Sequence, residues 1–111
     1  LYTLLFHRDL ITGTAMKPSD ALRINRKEIR RVVNAHRASN VRVFGSAAHG
    51  DDTDNSDLDI LVDPTAETTL LDIGAIRYEL SELLGVPVDV VTPMSLPDKF
   101  RDSVLAEAVP I

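Results

Sequence analysis

Cysteine does not occur among the 111 residues, so the chain can form neither a disulfide framework nor a metal site with thiolate ligands. Long apolar runs are also missing, because no stretch approaches the roughly 18 consecutive apolar residues of a membrane-spanning helix. Basic charge is scarce as well: 17 acidic side chains outnumber 12 lysines and arginines and give a net charge of −5. We therefore expect a cytoplasmic protein without a membrane span, in which nucleic-acid binding is not the main activity.

The length and composition are those of a single ordinary globular domain. A hydrophobic fraction of 44% beside 26% charged residues is typical of such domains. Residues 1–15 differ from the rest, since the chain begins without Met and Met16 resembles a natural start. We expect residues 1–15 to be an upstream or non-native extension and residues 16–111 to form the functional domain. The alternative is that residues 1–15 are a real arm packing on this or a neighbouring subunit.

Helical periodicity predicts three helices, at residues 19–38, 69–84 and 96–106. Ser19 is the predicted N-cap of the first helix, and Thr69 with Asp72 forms a predicted capping pair at the start of the second. The predicted buried face of the second helix consists of Leu71, Ile73, Ile76, Leu80, Leu83 and Leu84.

Apolar, β-branched runs predict strands at residues 41–44, 58–62 and 86–92. The element order is then α-β-β-α-β-α, which is typical of an α/β or α+β domain with a small mixed sheet flanked by helices. We expect the first two strands to be antiparallel, and the second and third to be joined by a right-handed parallel crossover.

Three acids fall in or beside these apolar strands. Asp59 interrupts the second strand, and a buried carboxylate costs free energy unless something pairs with it. Asp57 and Asp59 are predicted to point to one face with Cα atoms roughly 6.6 to 7 Å apart, where they repel each other unless a cation lies between them. Asp89 stands alone in the third strand and can reach the same place if that strand is a neighbour.

The types of these residues predict a metal site beside a phosphate site. Oxygen ligands without nearby Cys or His favour Mg²⁺ or Mn²⁺ over Zn²⁺. Three carboxylates around one point suit two metal ions about 3.5 to 4 Å apart, as used for in-line phosphoryl displacement. Upstream, Gly45 and Ser46 begin a turn whose backbone N–H groups and hydroxyl can hold phosphate oxygens.

Charge is unevenly distributed along the chain. Eight of the 12 lysines and arginines lie between Lys17 and Arg42, and six of the 17 acids lie between Asp51 and Asp63. This division is consistent with a site that handles both phosphates and metal ions. The alternative is a solvated basic helix beside a solvated acidic loop.

At residues 45–50 (GSAAHG) and 55–59 (NSDLD), the sequence resembles the signature of the DNA polymerase β-like nucleotidyltransferase superfamily, specifically its minimal nucleotidyltransferases. The likeness continues through residues 84–91 and 107–110 and covers nearly everything after Met16. Relatives often carry Arg within the Gly-Ser turn, where this chain has Ala47, Ala48 and His49. Phosphate charge would then be neutralised by the metals and by His49 or Arg42, although His49 is equally well explained as an exposed turn residue.

The resemblance implies the nucleotidyltransferase fold and transfer of a nucleoside monophosphate from a triphosphate to a hydroxyl, with two Mg²⁺ ions or Mn²⁺ in their place. It implies that Asp57 and Asp59 bind both metals, and that Asp89 binds the catalytic metal and helps to activate the acceptor hydroxyl. The implied catalytic and metal-binding residues are thus Asp57, Asp59 and Asp89, and the implied nucleotide-binding residues are Gly45, Ser46 and Ser56.

The small size leaves almost no chain for an acceptor-binding domain, so we expect the acceptor to be supplied by a partner. Similar minimal nucleotidyltransferases are antitoxins that transfer AMP from ATP to a tyrosine of a HEPN-domain ribonuclease toxin, and this is the leading hypothesis. One alternative is an antitoxin that neutralises its partner by binding alone. Another is the addition of nucleotides to RNA ends, suggested by the basic segment between Arg23 and Arg31.

Overall fold

The computed structural model describes residues 16–111, so the expectations for residues 1–15 lie outside the described residues. The elements are α1 (Pro18–Ile24), α2 (Arg26–Ala35), β1 (Ala38–Phe44), α3 (Ser46–His49), β2 (Leu58–Pro64), α4 (Leu70–Leu84), β3 (Val88–Val91), a 3₁₀ turn (Pro93–Ser95), α5 (Asp98–Glu107) and β4 (Val109–Pro110). None of the helices between residues 16 and 111 is long and apolar enough to cross a membrane.

A four-stranded mixed sheet in the order β3-β2-β1-β4 organises the domain. β1 is antiparallel to both β2 and β4, while β2 is parallel to β3 and reaches it through α4. These pairings confirm the predicted mixed sheet, the antiparallel first pair and the parallel crossover. β4 was not predicted, because two residues are too few to show the alternation that identifies a strand.

The main core lies between one face of this sheet and helices α1, α2 and α4. Val43 and Ile60 point into it from the strands and meet Ile29 and Ile76 from the helices. Because successive side chains of a strand point to opposite faces, Leu61 lies on the other face of the sheet from Ile60. It is buried there, where the 3₁₀ turn packs against β2. That second face therefore carries every other residue of β2, starting with the acid at position 59.

Two helices stand where the sequence predicted one helix over residues 19–38. Asn25 separates them, and its side-chain amide donates to the Ala21 carbonyl at 2.8 Å, a local bond that competes with helix continuation. The prediction that Ser19 is the N-cap is wrong, because Pro18 already occupies the first helical turn. The Ser19 N–H instead donates to the buried Asp52 carboxylate at 2.8 Å. Asp52 belongs to the acidic turn (residues 50–57, between α3 and β2), so this helix is capped by a residue far away in the sequence.

α4 begins and ends where the sequence predicted. The Thr69 side chain accepts from the Asp72 N–H, the Asp72 carboxylate accepts from the Thr69 N–H, and Gly85 ends the helix in the left-handed conformation. The prediction that Leu71 belongs to the buried face is wrong, since the residue is 84% exposed. At about 100° per residue, Leu71 lies roughly 180° around the helix from the buried Leu80.

Asp72 ties the start of α4 to the chain before β1, and its removal should make stability less dependent on pH. The backbone N–H of Thr69 and the nearby Arg37 hold the pKa of Asp72 below its usual value. A lowered folded-state pKa contributes stability that is present above the unfolded pKa and lost as pH falls through the folded value. Asp72→Asn should therefore lower the melting temperature by about 2–4 °C at pH 7, and by less as pH drops below about 4.

Thermal melts of both proteins between pH 2.5 and pH 7 check this expectation. Asp102→Asn, at an exposed position on α5, is the matched control and should leave the melting temperature unchanged throughout. A difference between wild type and Asp72→Asn that stays constant down to pH 2.5 would contradict the assigned role of Asp72.

Candidate active site

The end of β1 and the beginnings of β2 and β3 meet at one end of the sheet. β1 runs antiparallel to β2 with Phe44 opposite Asp59, and β2 runs parallel to β3 with Asp59 beside Asp89. Asp59 and Asp89 are neighbours across β2 and β3, and Gly45 directly follows Phe44 at the end of β1, so Gly45, Asp59 and Asp89 lie together at this end of the sheet. The topology thus brings together three residues that the sequence places far apart.

Asp59 and Asp89 project from the same face of the sheet because they are register partners in parallel strands. Asp59 is half-buried and Asp89 is exposed at the rim. Asp57 directly precedes β2 and is also exposed, so the alternation of side chains along β2 does not fix its direction. The Leu58 N–H donates to the Pro87 carbonyl at 2.9 Å, which fixes the start of β2 against the chain entering β3.

The carboxyl groups of Asp57, Asp59 and Asp89 are in an unfavourable electrostatic environment in the protein by itself. Burial raises the pKa of Asp59, and the charges of Asp89 and Asp57 raise it further. Among residues 16–111, no lysine, arginine or histidine forms an ion pair with any of these three acids. The site therefore holds negative charge for which the described part of the chain provides no cationic partner.

The donor chemistry of these acids fits a hard divalent cation. Carboxylate oxygens without nitrogen or sulfur ligands are what Mg²⁺ and Mn²⁺ prefer. As the side chains stand between residues 16 and 111, no three His, Cys, Asp or Glu groups are close enough together to hold a metal ion. Asp59 and Asp89 are nevertheless adjacent, and the exposed Asp57 can change rotamer without repacking the core.

Gly45 packs directly against Asp59, and only glycine fits there. Its backbone has φ 73° and ψ −153°, a region that residues with a side chain essentially never occupy. A Cβ atom built on Gly45 would lie 2.4 Å from the Asp59 carboxylate oxygen Oδ2. The glycine that the sequence singled out therefore brings the β1–α3 turn into contact with a predicted metal ligand.

The two predicted serines differ in their surroundings. Ser46 opens α3 beside Gly45, and its hydroxyl makes no hydrogen bond to any residue in the 16–111 range. Ser56 lies in the acidic turn, where its hydroxyl oxygen accepts from the Thr53 N–H at 2.9 Å. Ser46 is therefore the better placed of the two to donate to a ligand, while Ser56 shapes the turn before Asp57.

The two side chains considered for phosphate charge are both engaged elsewhere. Arg42 forms an ion pair with Asp63 and donates to the Asn40 carbonyl, toward the other end of β2 from Asp59. His49 pairs through Nε2 with Oε2 of Glu107 at 3.1 Å. Neither side chain approaches the three acids in the described contacts.

Glu107 is a residue of this region to which the sequence reasoning assigned no role. Its Oε1 accepts a hydrogen bond from the Gly45 N–H at 3.3 Å, in addition to the contact with His49. The structure places this acid in the last position of α5, where the helix dipole disfavours negative charge, whereas the helix predicted from the sequence ended at residue 106. Such a misplaced charge indicates a partner elsewhere in the fold.

A separate cavity of about 260 Å³ lies between α1, β1 and α3. Its lining residues are Ser19, Asp20, Leu22, Arg23, Arg26, Val43, Ala47, Ala48 and Val109. Val43 points to the helix-covered face of the sheet, opposite the face that carries Asp59, so this cavity is not part of the acidic site.

Comparison with known protein families matches residues 25–111 to the nucleotidyltransferase domain. A relative from Methanocaldococcus jannaschii, named "Putative protein adenylyltransferase", is 37% identical over 92 residues, covering 79% of this chain and 99% of the relative. The protein adenylyltransferase MntA of Thermococcus cleftensis is 34% identical over 91 residues, covering 75% of this chain and 92% of the relative.

Solved structures show the same architecture. One, described as a "putative minimal nucleotidyltransferase", has a TM-score of 0.76 at 41% identity and covers 84% of this chain and 95% of its own. A second, from a crystal structure of a toxin–antitoxin with AMP-PNP, has a TM-score of 0.67 at 22% identity and covers 78% and 71% of the two chains. The second likeness shows the fold alone.

Proposed function

Because the chain belongs to the nucleotidyltransferase domain family and is a nucleotidyltransferase, we propose that it transfers AMP from ATP to a hydroxyl group of a partner protein. The observation that carries this proposal is the cluster at one end of the sheet, where Gly45 lies against the Asp59 carboxylate and Asp59 is beside Asp89. It places a close backbone approach for a phosphate beside carboxylates that lack a cationic partner in the described chain.

Asp57, Asp59 and Asp89 would hold Mg²⁺, with Mn²⁺ as a substitute. When bound, such ions offset the negative charge of the triphosphate and of the leaving pyrophosphate. The donor set supports this assignment, because three oxygen-ligand side chains lie at one end of the sheet.

In the proposed reaction, the acceptor oxygen forms a bond to the α-phosphorus of ATP while the bond to pyrophosphate breaks. The Ser46 hydroxyl donates to a phosphate oxygen, and glycine at position 45 lets the backbone approach the triphosphate without a side chain in the way. Asp89, exposed at the rim, accepts the proton that the acceptor hydroxyl loses. Asp59 lies deeper, where it would hold the cation that offsets the charge of the triphosphate.

A protein acceptor is supported by two observations. Both relatives described above carry the words "protein adenylyltransferase" in their names, the first preceded by "Putative". The surface also exposes large apolar side chains of the kind that protein partners cover: Leu70, Leu71, Tyr78, Met94 and Phe100. On the resemblance stated from the sequence, we propose that the partner is a HEPN-type ribonuclease toxin of the cytoplasm, that a tyrosine is the acceptor, and that the protein acts as an antitoxin.

The direct test mixes the purified protein, Mg²⁺ and α-labelled ATP with the product of the reading frame adjacent to its own. We expect label on that partner, and its loss in the double variant Asp57→Asn with Asp59→Asn. Asp54→Asn, an exposed acid in the same turn, is the matched control and should label as wild type does. No label with wild type rejects transfer to this partner, and equal label with the double variant rejects the assigned site.

The same variants separate catalysis from neutralisation by binding alone. If the double variant transfers no label yet still protects cells from the partner, the protein neutralises by sequestration. If protection is lost together with label while the complex still forms in a pull-down, the transfer itself is the neutralising event.

A further inference from the structure

Glu107 connects the last turn of α5 to both ends of α3. One carboxylate oxygen accepts from the backbone N–H of Gly45 at 3.3 Å, and the other contacts Nε2 of His49 at 3.1 Å. Gly45 is the residue immediately before α3, and His49 is the last residue of that helix. A single side chain thus spans the whole turn that carries Ser46.

The position of this acid is unfavourable for the helix that carries it. Glu107 ends α5, and no basic residue accompanies it in the last turn. Negative charge at a helix C-terminus opposes the helix dipole. The contacts with Gly45 and His49 therefore account for the acid better than any contribution to α5 does.

The backbone after Glu107 is fixed beside the same turn. β4 follows after a single residue and pairs with β1, so that Val109 stands opposite Val43. The Ile111 N–H also donates to the Val41 carbonyl at 3.1 Å. The end of α5 is therefore held against the strand that leads directly into Gly45.

We propose that Glu107 is a positioning residue that holds the Gly45–His49 turn in the conformation needed for nucleotide transfer. The inference rests on the proposed function and assigns a role within that same site. The turn needs such support, because Gly45 has a backbone conformation accessible to few residues and lies against the Asp59 carboxylate. With Glu107 in place, the turn is ordered before the nucleotide arrives, and binding does not have to order it.

Two consequences follow for the phosphate contacts. The Gly45 N–H is already donated to Glu107, so the contribution of Gly45 is close approach, and the Ser46 hydroxyl is a side-chain donor that the turn offers to a phosphate. His49 is held by a carboxylate, so its ring serves to anchor the end of α3.

The test compares Glu107→Ala, Glu107→Gln and the control Asp102→Ala in steady-state transfer from ATP. Asp102 is an exposed acid on the same helix, and its side chain makes no hydrogen bond to any residue within 16–111. Glu107→Ala should raise KM for ATP and lower kcat/KM by about 30- to 100-fold, since a small misplacement of a site costs about that much. Glu107→Gln should stay within about threefold of wild type, because its amide can accept from Gly45 and donate to neutral His49.

Each outcome bears on a specific claim. Wild-type kinetics for Glu107→Ala would overturn the inference, and so would a loss in Glu107→Gln as large as that in Glu107→Ala. A role in stability alone predicts a lower melting temperature for Glu107→Ala with unchanged KM and kcat. Absence of transfer by the wild-type protein would reject the proposed function instead. The inference is then decided by calorimetry of Mg²⁺–ATP binding, where only Glu107→Ala should bind more weakly.

Discussion

Replacing Asp59 with asparagine is expected to abolish nucleotide transfer and, in the same protein, to raise the melting temperature measured in EDTA. Asp59 is the most buried of the three acids, lying between Gly45 and Asp89. Removing its charge takes away a ligand of the proposed metal site, so the transfer rate should fall by at least about 1,000-fold. Labelled-ATP transfer measures the first effect and a thermal melt the second.

The direction of the stability change follows from the raised pKa of Asp59. Burial is the main cause, followed by the charges of Asp89 and Asp57. A carboxyl group with a raised folded-state pKa stabilises the protein at low pH, and this contribution is lost as pH rises through the folded pKa. At pH 7 without metal, the ionised group therefore opposes folding, and Asp59→Asn should melt about 2–4 °C higher than wild type.

The matched control is Asp63, which lies four residues further along β2. Asp63 forms an ion pair with Arg42, so Asp63→Asn should lower the melting temperature and leave transfer intact. The difference between Asp59→Asn and wild type should shrink as pH falls through the raised folded-state pKa of Asp59, and it should vanish below about pH 4, where the carboxyl is protonated in the unfolded chain as well. An Asp59→Asn protein that melts below wild type in EDTA at pH 7 would contradict this account of the site.

Gly45→Ala is expected to reduce both stability and transfer. The new methyl group would lie 2.4 Å from Oδ2 of Asp59, and the backbone angles of φ 73° and ψ −153° belong almost exclusively to glycine. We expect a loss of about 2–3 kcal/mol in the free energy of unfolding. Because the methyl group pushes the Asp59 carboxylate from its place, transfer should fall by about 100-fold or more.

Gly50→Ala separates backbone strain from the clash. Gly50 also has a positive φ of 77°, but it lies in the left-handed helical region and has no atom within 4 Å of a built Cβ. This variant should lose about 1 kcal/mol of stability and keep its transfer activity. Urea unfolding and transfer assays on both variants decide the matter: equal activity losses at the two positions would show that strain, not contact with Asp59, is responsible.

The elements that the sequence predicted well are those with a strong local signal. β2 is a nearly continuous apolar run, and α4 has both a capping pair and a terminal glycine, so their positions agree closely with the structure. The break at Asn25 was missed because the apolar spacing continues across it, and only the bond to the Ala21 carbonyl shows why the helix stops. The cap on α1 was missed because its acceptor, Asp52, comes from the distant acidic turn.

The candidate site shows the same division between local and distant information. Asp59 and Asp89 were conspicuous, since each interrupts an apolar run, and their adjacency required only that two strands be neighbours. Glu107 lacked such a signal, because an acid on a solvated helix is ordinary until the fold places it beside Gly45. A single sequence does not reveal the role of a residue when that role depends on contacts with residues far away in the chain.

The parallel pairing of β2 with β3 also has a consequence for how fast the protein unfolds. The two strands meet only after α4 has closed the crossover, and such non-local pairings form late in folding. Repulsion between Asp59 and Asp89 then acts mainly on the finished structure and hardly on the folding transition state. It should therefore shorten the lifetime of the native state while leaving the folding rate almost unchanged. A bound cation would offset this repulsion and should therefore slow unfolding.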